Sequence, residues 1–296
     1  MQNIAFYLMN SKGLFLLKSF IERFGVNAIG YVVCEQDKAI QYDGFHEIKQ
    51  LEQNNNIPFY SRTQFDAEIE NKFSALKFAI GWRWLIKNET NLIVFHDSLL
   101  PKYRGFAPLV NSLINKEFFL GGVTALFADC KYDRGDIIAQ KSTDFSYPII
   151  IEEAIKQIEP LYFELVDEIY TRVLAGEQLS RYKQDESQAT YSLWLDHKDY
   201  FIDWAWSAEK IKQFIDAVGY PYDDAKARLN DRGINFKEVD VLDDIVVEHR
   251  KRHIGKVIFL KQGMPVIVCA KGLLVLKEIT DVNDKMVQLN FRSRFN

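Results

Sequence analysis

Two short apolar runs, Ile4 to Met9 and Ala28 to Cys34, flank a segment whose apolar residues recur at helical spacing. No other feature constrains the fold so much. Leu14, Leu17, Ile21 and Phe24 line one stripe of that intervening helix. Strands that are apolar on both faces belong in parallel sheets covered by helices, so this β-α-β opening predicts an α/β, Rossmann-like sheet. No Gly-x-Gly-x-x-Gly follows the first run, so nothing argues for a dinucleotide.

Asn91 to Phe95 reads as a further buried strand and delivers His96 to its C-terminal end, where ligands collect in open α/β sheets. Ser98, Pro101 and Gly105 then force an irregular loop, because proline lacks a donor and glycine permits backbone angles that others avoid. A second strand, Gly122 to Ala128, feeds the turn Asp129 to Gly135, which presents Asp133. An imidazole and a carboxylate on neighbouring strand ends make a general acid/base pair. One histidine after a strand is more often structural than catalytic. The compound pattern weighs for chemistry: His96, Ser98-Leu-Leu-Pro101, Arg104-Gly105, Pro108, Gly122-Val-Thr124 and Asp133-x-Gly135 stand in one order within one stretch.

That pattern resembles the formyltransferases that use 10-formyltetrahydrofolate, a family that includes nucleotide-sugar N-formyltransferases and methionyl-tRNA formyltransferase. The resemblance implies transfer of a formyl group from 10-formyltetrahydrofolate to an amine, with no metal. It makes His96 the base on the amine or a donor to the oxyanion, and Asp133 the group that orients the imidazole. The co-substrate is expected along Ile80, Gly81, Trp82 and Asp129, and beside the loop of Ser98, Leu99, Leu100 and Pro101. Tyr103, Arg104 and Tyr222 are the acceptor-side candidates.

One position departs from the family. Its members carry Asn two residues before the histidine; here the residue is Val94. In a strand, positions i and i+2 share a face, so that amide would point where His96 points. Losing one oxyanion donor costs about 2.7–4 kcal/mol. Either another donor takes over (Arg83, the Asp97 backbone N–H or water), or the chemistry is altered or slow.

Further on, Ile149 to Val173 has a long helical pattern that Pro160 is expected to kink or break. Polar Gly176 to Ser187 reads as a linker, which places a catalytic domain at 1–180 and a second domain at 188–296. Short strands with Gly255, Gly263 and Gly272 at the corners suggest a small OB-like, β-rich barrel there. Asp203-Trp204 and Gly219-Tyr-Pro-Tyr222 resemble the C-terminal half of the tRNA enzymes, whereas Lys12-Gly-Leu14 and Asp37-Lys38 resemble the sugar enzymes.

A formal charge of −4 gives no whole-chain reason to bind nucleic acid. The resemblance therefore points to a nucleotide-linked amino sugar for surface polysaccharide (lipopolysaccharide, O-antigen) synthesis, and is compatible with a homodimer. Methionyl-tRNA as acceptor, or a folate-binding protein with a decayed site, are the alternatives. Cys34, Cys130 and Cys269 lack metal-ligand spacing and read as buried thiols in a reducing compartment. With no signal peptide and no membrane-length apolar run, the expected location is cytoplasmic, away from the membrane.

Overall fold

The computed structural model describes residues 3–71, 73, 76–117 and 121–296. They form two compact units, the first comprising Met1–Ser112, Glu117–Ser146 and Glu153–Trp194, the second Leu113–Lys116, Tyr147–Glu152 and Leu195–Asn296.

In chain order the strands are β1 (Ile4–Leu8), β2 (Ile29–Cys34), β3 (Phe59–Ser61), β4 (Leu76–Ile80), β5 (Leu92–His96), β6 (Arg104–Gly105), β7 (Gly122–Phe127), β8 (Ile137–Ser142) and β9 (Tyr191–Ser192). Then come β10 (Ala225–Leu229), β11 (Arg232–Leu242), β12 (Val257–Lys261), β13 (Met264–Val268) and β14 (Leu273–Asp281). The helices are α1 (Asn10–Phe24), α2 (Phe45–Asn55), α3 (Ala67–Glu70), α4 (Pro108–Ile114), α5 (Ile151–Leu174) and α6 (Ala208–Val218).

The first unit is built on a seven-stranded sheet ordered β3-β2-β1-β4-β5-β7-β8. Its first five strands are mutually parallel, as the fully apolar runs predict. β7 runs antiparallel to β5, and β8 antiparallel to β7. The sheet is thus the expected parallel-dominated one, with antiparallel pairing at the β7–β8 edge. Apolar periodicity is the same in both chain directions, so it carries no information about strand polarity. Phe6, Phe20 and Phe78 are fully buried in this unit. Phe6 meets Phe20 edge-on at 5.0 Å. Each such ring contributes about 1.5–3 kcal/mol by burial.

Helix α5 continues through Pro160 without a break. The missing hydrogen bond is outweighed by apolar anchors on both sides: Ile158, Tyr162 and Leu165 are completely buried. The polar stretch read as a linker is part of the first unit, because Tyr182 exchanges both backbone hydrogen bonds with Ile137 of β8.

The second unit holds a five-stranded antiparallel sheet ordered β10-β11-β14-β13-β12. Its edges are joined by the last residues, since Phe295 bridges to Leu229 of β10 and Arg294 to Lys256 just before β12. An open sheet closed by such bridges is the β-rich, barrel-like domain expected. Strand β10, Ala-Lys-Ala-Arg-Leu, was not expected, its alanines and charges being poor strand formers. Arg250 donates to the carbonyls of Cys269 and Gly272, clamping the end of β14's hairpin instead of facing solvent. Cys34 and Cys269 are buried; Cys130 is exposed, because it lies in a surface turn.

One buried group sets a pH dependence. Glu52 on α2 is fully enclosed, and neither carboxyl oxygen has a hydrogen-bond partner. Burial pushes its carboxyl up to about 9, only partly opposed by the Lys49 charge. The folded state then keeps a proton that the unfolded chain releases above about 4.3. Its contribution to stability is full below that value and falls as pH rises toward 9. Glu52→Gln should flatten the decline in melting temperature between pH 5 and about 9, as thermal unfolding across that range will show.

Candidate active site

His96 ends β5 and points to the same face as Val94, two residues before it. One residue beyond the register pair Ile80–Phe95, Gly81 stands next to His96 across the sheet. Gly81 has φ of 63°, and a Cβ there would lie 2.5 Å from Asn10 Nδ2 and 2.9 Å from the Met9 carbonyl. The position must be glycine, because a side chain there would displace the Asn10 amide. On the other flank His96 pairs with Thr124 of β7.

Thr124 shapes the Ser-Leu-Leu-Pro loop. Its hydroxyl donates to the Ser98 carbonyl at 2.6 Å and accepts from the Leu100 N–H at 3.1 Å. Gln140 on β8 adds a bond to the Leu100 carbonyl, and the Ser98 hydroxyl caps the Lys102 carbonyl. The loop is then zipped onto the segment before Trp194: Tyr103 N–H donates to Thr190 Oγ1, and β6 pairs with β9. Ser98 and Leu100 are buried, while Leu99 and Pro101 are half-buried.

One nitrogen of the imidazole is hydrogen-bonded and the other faces a carboxylate. Nε2 lies 2.7 Å from the Tyr103 carbonyl, which can only accept, so Nε2 carries a proton. Nδ1 faces Asp133 Oδ1 at 3.6 Å. The ring is 7% exposed. Nε2 is thus occupied by the Tyr103 carbonyl, and Nδ1 is the ring nitrogen nearest a carboxylate. The other Asp133 oxygen accepts from the Gly105 N–H at 2.8 Å.

The strand geometry differs from the expectation in how Asp133 arrives. Because β7 runs antiparallel, its C-terminal residue Phe127 stands opposite Ile93 at the start of β5, far from His96. The turn after β7 makes up that distance. Asp133 takes a left-handed φ of 54°, and two residues on a Cβ at Gly135 would lie 1.7 Å from the Phe127 carbonyl. The Asp-x-Gly spacing is thereby explained: one residue bends the chain back and the other lets it pass the strand end. Asp129, exposed at the start of this turn, is held below the usual carboxylate range by hydrogen bonds from the Cys130 thiol and the Lys131 N–H.

Arg104, expected on the acceptor side, is 0% exposed. All five of its N–H donors are used. Gln184 Oε1 accepts from Nε and Nη2 at 3.1 and 2.8 Å, Glu186 takes two bonds at 3.0 Å, and the Tyr191 hydroxyl lies 3.3 Å from Nη1. No face is left for a phosphate, which corrects that expectation: Arg104 is a tie within the first unit. Gln184 passes the tie on, its Nε2 donating to the carbonyls of Asp133 and Gly135, both at 2.8 Å. Sequence reasoning missed Gln184 and Glu186 because they lie in the stretch read as a linker. Tyr103 contributes its carbonyl while its side chain is buried. Tyr222 lies in the second unit, between α6 and β10.

Around the end of β4, Ile80 is buried and Trp82 half-buried, its ring 5.4 Å from Tyr7 and 5.2 Å from Trp84. Trp82 Nε1 is buried without an acceptor. Arg83, weighed above as a replacement donor, is paired with Asp37 at 2.5 Å. Lys12 from the first turn of α1 closes on Asp97, the residue after His96. Among the described residues no cluster of His, Cys, Asp and Glu could hold a metal ion.

Two substitutions probe this arrangement. His96→Ala should lower turnover by on the order of 10²-fold or more and cost about 1–3 kcal/mol of stability by stranding the Tyr103 carbonyl, read by steady-state kinetics beside thermal unfolding. Arg104→Met keeps the bulk but strands the Gln184 and Glu186 acceptors. A loss of about 1–3 kcal/mol is expected in chemical denaturation, together with reduced turnover although Arg104 faces no substrate.

The formyl transferase domain profile matches residues 26–174, and the formyl transferase C-terminal domain profile matches residues 195–294. Methionyl-tRNA formyltransferase from Clostridium novyi is 26% identical over 275 residues, 89% of this chain and 87% of that protein. The enzyme of the same name from Carboxydothermus hydrogenoformans is 30% identical over 81% of this chain and 79% of its own length. Among solved structures, an N-formyltransferase from Helicobacter canadensis in complex with folinic acid and dTDP-3-aminofucose superposes with a TM-score of 0.65 at 15% identity, covering 93% of this chain and 99% of that one. A methionyl-tRNA formyltransferase from Clostridium thermocellum gives a TM-score of 0.57 at 18% identity over 81% of this chain and 93% of that one. With both domain profiles matched in order along most of its length, this chain belongs to the formyl transferase family.

Proposed function

We propose that this protein transfers the formyl group of 10-formyltetrahydrofolate to the amine of a nucleotide-linked amino sugar, of the kind used in surface polysaccharides. The folate supplies the activated formyl carbon. Both formyl transferase domain matches support the folate, as does the pairing of His96 with Asp133 at the end of β5. In the transfer the amine nitrogen forms a bond to the formyl carbon while the bond from that carbon to folate N10 breaks. The proton lost by the amine passes through His96, steadied by Asp133, to the departing nitrogen.

The acceptor assignment rests chiefly on charge. Residues 195–296 carry 17 lysines and arginines against 16 aspartates and glutamates, and the whole chain is acidic. A tRNA-binding domain draws its affinity from phosphate neutralisation by an excess of basic groups, which is missing here. The likeness to the Helicobacter canadensis enzyme over nearly the full length of both chains is consistent with the sugar reading. One observation favours the second reading, methionyl-tRNA: the curated relatives at 26–30% identity carry that name. Incubating the purified protein with formyl-labelled folate, nucleotide amino sugars and charged methionyl-tRNA tests the choice. Label is expected in a sugar nucleotide; label found only in tRNA reverses the assignment.

A further inference from the structure

The face that carries His96 has a missing donor. Negative charge grows on the formyl oxygen during transfer, and an N–H aimed at that oxygen is the usual means of stabilising it. Val94, level with the Ala79 and Leu126 partners on either side, offers only carbon. Its side chain packs instead with the apolar groups around Leu100, Leu126 and Ile137. Lys12 is committed to Asp97, and Arg83 to Asp37. Trp82 Nε1 is closed from solvent in the aromatic packing against Tyr7 and Trp84.

Asn10 stands at the same edge of the sheet. It follows β1, which pairs with β4 as β4 pairs with β5, so one strand end separates it from His96. Its backbone takes a left-handed φ of 57°, a conformation that asparagine tolerates better than most residues. Its amide orientation is fixed by chemistry: the atom accepting from the Lys12 N–H at 3.1 Å has to be oxygen. Nδ2 is therefore the other atom, and it has no hydrogen-bond partner among the described residues. It lies directly over Gly81, where a Cβ would come within 2.5 Å of it. The absent side chain of Gly81 thus makes room for the Asn10 amide, and Gly81 itself neighbours His96 across the sheet.

We propose that Asn10 is a further catalytic residue, its Nδ2–H donating to the formyl oxygen in place of the donor that Val94 cannot provide. This rests on the formyl-transfer reading but not on which acceptor is used. Left-handed Asn10, the oxygen-side anchor and Gly81 form one unit: the anchor sets the amide, and the glycine lets the amide lie against the strand end next to His96.

The test uses 10-formyl-5,8-dideazafolate, a stable analogue, labelled with 13C in the formyl group, and the full-length protein. Infrared difference spectra of the bound analogue should show the labelled carbonyl stretch shifted down from its solution position. That shift should be lost in Asn10→Ala and in Asn10→Asp, and turnover with the natural donor should fall on the order of 10²-fold in both. Asn10→Asp keeps an acceptor for the Lys12 N–H, so a folding defect confined to Asn10→Ala does not blur the result. A downshift that survives in both variants, or turnover within a few-fold of wild type, overturns the assignment to Asn10 alone. Failure of the wild type to bind the analogue overturns the folate reading, and this inference with it.

Discussion

The site depends on one buried side chain and its amide partner. The guanidinium of Arg104 and the carboxamide of Gln184 join three pieces of chain that are far apart in sequence: the loop after β5, the turn after β7 and the segment before β9. An arginine is costly to bury unless every donor is satisfied, and here each has an acceptor. The cost of leaving any one unsatisfied makes the arrangement unique. Gln184 transmits that uniqueness to the backbone of Asp133, while β6, adjoining Tyr103, transmits it to the carbonyl that holds His96. The placing of His96 beside Asp133 is thus set by groups elsewhere in the first unit.

Around this joint the site is assembled mostly from backbone and from absent atoms. Gly81, Gly105 and Gly135 each sit where a Cβ would run into a neighbouring main chain or amide. The Tyr103 carbonyl and the Gly105 N–H, rather than side chains, hold the outer atoms of the histidine–aspartate pair. The loop's shape thus depends on a few glycines, one threonine and pairing to a remote strand.

Much of this was legible in the sequence, for definite reasons. Apolar runs gave the strands and helical spacing the helices, and the His96, Thr124 and Asp133-x-Gly135 spacings gave the loop, because each of those residues answers a local steric or hydrogen-bonding demand. Three things were not legible. The reversed direction of β7 leaves no trace in an apolar run, so Asp133 reads as a neighbouring strand end when it is brought back by a turn. The burial of Arg104 depends on acceptors 80 and 82 residues away, which no local window contains. The segment 176–187 is polar, and polarity alone cannot distinguish a tether from a strand-like piece pairing with β8.

The pairing of the catalytic loop with residues beyond 180 has a consequence for the order of events in folding. Tyr103 bonds to Thr190, 87 residues later in the chain, and such distant closure is slow because the intervening chain must first lose its freedom. During synthesis the sheet from β1 to β8 can pack while the loop carrying the histidine still lacks the strand that shapes it. A nascent chain that ends before residue 190 therefore holds β1 to β8 but lacks the partner that shapes the loop around His96.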